Sequence, residues 1–203
     1  MPESLVQVTE GSGKLLHTFQ RTIGANTVED EVLITGEPYL ASYCMSMATN
    51  ATTLNSHMIQ VMAGATLKVR IRRIEIFQTA MATAVAIGVF YLMRVTTAGT
   101  GGTAVGSAPF DTSDAASGAT GMTLPTVKGA EGVVLHSPTL YLMQTLAVST
   151  PMPEPLYVWD FDRTHGKPLI IPAGAVNGIV IKNTAAYAAA GLTVNVWFDE
   201  SNF

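Results

Sequence analysis

A chain of 203 residues that is 48% hydrophobic and only 13% charged can bury a sizeable core. It falls outside the disordered class, which needs low hydrophobicity and high charge. Its net charge of −4 gives no global attraction to nucleic acid or to an anionic membrane.

The first fourteen residues, MPESLVQVTEGSGK, have no basic region ahead of an apolar core. They read as a flexible arm rather than a secretory signal, and the chain as one folded in a cytosol. Residues 15–203 are then expected to form a single domain. Strand signals dominate it, at 15–23, 27–35, 39–48, 57–62, 67–78, 85–95, 139–148, 156–161, 178–183 and 192–198. Gly-Ser-Gly, Thr-Gly-Glu-Pro, Ala-Gly-Ala, Pro-Met-Pro-Glu-Pro and Pro-Ala-Gly-Ala supply the turns between them. Residues 185–190 are too short for a helix. The apolar run 80–93 is too short to span a membrane.

The stretch 67–78 changes phase. Val69 and Ile71 are apolar at odd positions, Ile74 and Ile76 at even ones. One extra residue, a β-bulge at Arg72-Arg73, returns all four to one buried face. The opposite face then carries a basic stripe, Lys68, Arg70, Arg72 and Arg73. Such a stripe either pairs with carboxylates on a neighbouring strand or docks an acidic neighbour or, more weakly for lack of interleaved aromatics, a phosphate backbone.

Residues 96–121 contain no lysine or arginine and are built almost wholly of Gly, Ala, Ser and Thr. Gly99-Thr100-Gly101-Gly102-Thr103 lacks the Lys-Ser/Thr pair and following helix of a phosphate-binding loop. A loop this long, reaching to about residue 130, is expected to lie over a neighbouring subunit. Its small residues would let backbone approach backbone, with Phe110 as an apolar anchor. Thr100, Gly101, Gly102 and Phe110 therefore join the basic stripe as candidate interface residues.

Catalytic and metal motifs are missing. His17, His57, His136 and His165 show neither H-E-x-x-H nor His-x-His spacing. Asp160, Asp162 and His165 could face a hard cation, but the ordinary reading is a solvated strand end. The only cysteine, Cys44, leaves no disulfide framework or thiolate zinc cluster. In its apolar strand context it reads as an inert buried thiol, and Glu29, Asp30 and Glu31 as a solvated run. Ten methionines, Met45, Met47, Met58, Met62, Met81, Met93 and Met143 among them, suit irregular core gaps. No enzyme, cofactor or metal is expected. About eight to ten strands with irregular loops point to an all-β, single jelly-roll-like two-sheet sandwich.

Three segments, LKVRIRRIEIFQ, RVTTAGTGGTA and KPLIIPAGAVNGIVIKN followed by LTVNVWFDE, together resemble small structural proteins of tailed bacteriophages. The resemblance implies a virion component assembled in the host cytoplasm. Its implied role is a head decoration or cement protein, commonly trimeric, seated on the major capsid protein or another virion protein. A minor tail or spike-base protein would carry the same features. A sugar- or receptor-binding jelly roll and a cupin-like enzyme are the other classes this fold admits.

Overall fold

The computed structural model describes residues 18–23, 26–31, 40–50, 53–80, 82, 86–142, 155–161, 167–185 and 191–201. The chain divides into two compact units, Met1–Tyr39 and Leu40–Phe203. The boundary thus falls well past the fourteen-residue arm read from the sequence, and those fourteen residues lie outside the described ones. In the first unit β1 (Thr18–Ile23) and β2 (Asn26–Glu31) form an antiparallel pair, in register from Thr18↔Glu31 to Ile23↔Asn26.

The second unit is an all-β sandwich of two antiparallel sheets. Its strands are β3 (Ser42–Asn50), β4 (His57–Met62), β5 (Lys68–Ala80), β6 (Ala86–Val95), β7 (Thr103–Val105), β8 (Ala108–Pro109) and β9 (Thr120–Thr123). They continue as β10 (Glu131–His136), β11 (Thr139–Leu142), β12 (Tyr157–Asp160), β13 (Leu169–Ile171), β14 (Gly178–Asn183) and β15 (Gly191–Ser201). Sheet I runs β12-β5-β15-β3-β8, with β13 also on β5; sheet II runs β10-β6-β14-β4-β9-β7, with β11 also on β6.

The pairing is nested. β3 pairs β15, β4 pairs β14, β5 pairs β12 and β13, and β6 pairs β10 and β11. One long hairpin has been rolled so that successive strands alternate between sheets, which is jelly-roll connectivity. Residues 96–130 are the tip of that hairpin.

Alternating side chains fill the space between the sheets. Leu192, Val194, Val196 and Phe198 of β15 are buried, as are Ile179 and Ile181 of β14 and Met45 and Met47 of β3. Met58 joins this core, while Met62 and Met93 sit in a second cluster with Val95 and Val180. Met81 and Met143 lie outside the described residues.

The register shifts where the sequence changes phase. Trp197 opposes Arg73 and Phe198 opposes Ile71, so Arg72 is the extra residue of a bulge. Val69, Ile71, Ile74 and Ile76 are consequently all buried in one core. A second bulge acts on β4. There Ile181 opposes Ile59 and Lys182 opposes His57, leaving Met58 as the extra residue and setting His57 beside Lys182.

Candidate functional site

Four of the candidate interface residues, Lys68, Arg70, Arg72 and Arg73, share the outer face of β5, and the three arginines are matched inside their own sheet. The register sets Asp199 of β15 opposite Arg70. Its Oδ1 lies 3.1 Å from Arg70 Nε, and its Oδ2 2.5 Å from Arg72 Nε. Arg73 pairs with Glu75, lies 4.0 Å from Asp160 and stands over the Trp197 ring, 5.8 Å from its centre. The bulge is what allows this, because it turns both Arg72 and Arg73 outward.

Cys44 is half-buried rather than buried, because the alternation of β3 turns it to the outer face beside Trp197. Partial burial, and secondly the charge of Glu75, push its thiol up, which favours the protonated form. Asp160 leans toward Arg73; Asp162 and His165 lie outside the described residues.

The neutral stretch after β6 is built on its own chain. Residues 96–102 and 124–131 run as two limbs of a ribbon. Thr100 and Val127 exchange backbone bonds of 2.9 and 3.1 Å, Thr96 N donates to Ala130 O, and Ala130 N to Thr97 Oγ1. Gly99 N donates to Gln60 Oε1 at 2.8 Å, and Leu124 N to Met58 O at 3.0 Å, tying both limbs to β4 of sheet II.

Gly101 has φ +76, and a Cβ there would overlap the Thr126 hydroxyl; one on Gly102 would overlap the Thr123 carbonyl. The small residues do permit close backbone approach, and the approach is within the chain. Thr100, Gly101 and Gly102 therefore belong to the sheet II ribbon. They do not join the basic stripe on sheet I.

From the ribbon the chain crosses between sheets. β7 pairs β9 in sheet II, β8 pairs the outer edge of β3 in sheet I, and β9 returns to pair β4. The return is fastened by Glu200, a buried carboxylate at the end of β15. It accepts from Ser117 Oγ (2.9 Å), Ala119 N (2.9 Å) and Gly118 N (3.1 Å). Tyr43 Oη donates to Ala115 O at 2.9 Å. Burial first, then the charges of Glu200 and Asp114, push the Tyr43 phenol up, so it remains a donor. Phe110, just past β8, is 63% exposed. Two strands, β15 and β3, separate it from the stripe on β5.

Two features escaped the reading of the sequence. β10 ends sheet II, and all six of its residues are exposed. Val133, Val134 and Leu135 are consecutive apolar residues there, with Val133 at 66%. Two register shifts against β6 interrupt its pairing, so no regular alternation marks it. At its far end His136 Nδ1 accepts from Trp159 Nε1 at 2.9 Å, and the imidazole packs with Tyr157 and Trp159 of β12. These side chains bridge the two sheets.

At its near end Glu131 meets His57, Lys128 and Lys182. His57 is 0% exposed, and its Nε2 lies 3.0 Å from Glu131 Oε1. Lys182 Nζ reaches Glu131 Oε2 at 2.7 Å, and Lys128 Nζ lies 3.5 Å from Oε1. Burial alone would raise the Glu131 pKa; bonds to Lys182 and His57 and the two lysine charges hold it at about 2. Burial pushes the His57 imidazole down, outweighing its contact with Glu131, and Lys128 and Lys182 add to that.

Comparison with protein-family models, curated proteins and solved structures finds no match.

Proposed function

We propose that the chain is a structural virion protein of a tailed phage, a decoration or cement subunit that assembles as a homotrimer on the head lattice. The observation that carries this reading is the exposed apolar surface. Val133, Val134 and Leu135 on an edge strand face solvent in the single chain, as do Val127 on the ribbon and, on the opposite side of the sandwich, Phe110 at the β8 edge. Exposed apolar clusters and open sheet edges mark surfaces that other chains cover. A sandwich with short crossing strands offers such a shell a rigid block, and the resemblance of its segments to phage structural proteins supplies the assembly. The basic stripe is a weaker docking surface, because Asp199, Glu75 and Asp160 already face it.

Native mass spectrometry of the purified chain, followed by co-sedimentation with empty capsids, tests the proposal. A trimer that co-sediments, and a Val133→Lys variant that folds but no longer assembles, are the expected results. A monomer that leaves capsids bare at micromolar concentration overturns it.

A further inference from the structure

Glu131 is both the last residue of the ribbon and the first of β10, so whatever holds it fastens the ribbon to sheet II. Its carboxylate can only accept, so His57 Nε2 carries the proton in their contact. Nδ1 of His57 is then a bare lone pair, buried and without a hydrogen-bond partner among the described residues. A second proton on this ring would be an N–H with nothing to accept it. It would also add a third cation beside Lys128 and Lys182, against the single carboxylate of Glu131; these are the charged groups that face His57.

We propose that the ribbon is a proton-sensitive clasp, closed on sheet II while His57 is neutral and released in mild acid when His57 takes up a proton. Opening wets the imidazole and lets it titrate in its ordinary range near 6.5, whereas the closed site holds it lower. The open state therefore binds more protons, and lowering the pH favours it. The clasp is at full strength above that ordinary value and weakens as the pH falls from there toward the lower value of the closed state. Glu131 takes no large part in this first stage. It is ionised when closed, with its pKa at about 2, and remains mostly ionised when open until the pH nears its ordinary 4.5. Below that a second loss sets in, as opening allows the carboxylate to protonate.

Hydrogen exchange of the full chain at pH 7.5 and 5.0, corrected for intrinsic rates, tests the clasp. The amides of Thr96, Thr100, Val127 and Ala130, which hold the two limbs together, are expected to lose protection at pH 5.0. The loss is bounded at about thirtyfold by the ordinary imidazole pKa. Amides between β5 and β15 should keep theirs. His57→Gln retains an N–H for Glu131 but cannot titrate, so its ribbon should be equally protected at both pH values. Equal protection of the wild-type ribbon at both pH values, or the same loss in His57→Gln, overturns the proposal. If that variant does not fold, NMR titration of His57 in the wild type decides. A midpoint below the ordinary imidazole value supports the clasp, and one at or above it refutes it.

Discussion

On the side where β7 and β8 end the two sheets, the polypeptide itself crosses the gap, and Glu200 takes three hydrogen bonds from the returning strand. On the side of β10 and β12 the contact among the described residues is made by side chains, His136 on Trp159 and Tyr157. The first closure uses backbone groups and a buried carboxylate, so removing Glu200 takes an acceptor from three donors at once. The second uses groups at a wet margin, next to an edge strand that is exposed throughout. The first side is expected to be the firmer seam and the β10 edge to open before the core does, since stability is distributed unevenly within domains.

The largest effect should come from breaking the seam. Glu200→Ala removes a buried carboxylate that accepts three hydrogen bonds, leaving Gly118 N without its acceptor and Ala119 N with Ser117 Oγ alone, and chemical denaturation should show a loss of about 3 kcal/mol. Gly102→Ala acts where the ribbon joins β7, and the added methyl meets the Thr123 carbonyl. A loss of about 2 kcal/mol in the same measurement is expected. His136→Phe on the opposite side keeps a ring against Tyr157 but removes the acceptor for Trp159. It should cost about 1 kcal/mol, with Trp fluorescence reporting the change. Phe110→Ala sits on the seam side yet is exposed, so its melting curve should match the wild type within about 0.5 kcal/mol. If His136→Phe cost more than Glu200→Ala, the contrast between the two sides would be wrong.

Much of the sandwich was legible along the chain, because its long strands carry their own pattern. β4 and β14 occupy the residues their apolar runs mark. The phase change in β5 located a bulge that the register of β15 then places at Arg72. β7, β8 and β9 were not legible. They are two to four residues long, made of Thr, Ala, Gly, Val, Met and Pro, and their pairing depends on backbone groups of distant strands. β10 also escaped, although its Val133-Val134-Leu135 run is like the Ile179-Val180-Ile181 run of β14. The ribbon read as an interface loop for a sound reason, small residues permitting close approach, but sequence does not say whose backbone is approached.

What the sequence determined by itself is periodic and local: an all-β chain, the strands of its core, and the extra residue that keeps β5 on one face. Tertiary structure decided the partners. Asp199 meets Arg70 and Arg72, Glu200 meets Gly118 and Ala119, and Glu131 meets His57 and Lys182, across separations from 51 to 127 residues where hydrogen bonds record them. Side-chain alternation reports which face of a strand is apolar, because burial acts on each residue in place. Which charge faces which depends on the register and the rolling of the whole hairpin, and neither leaves a local mark.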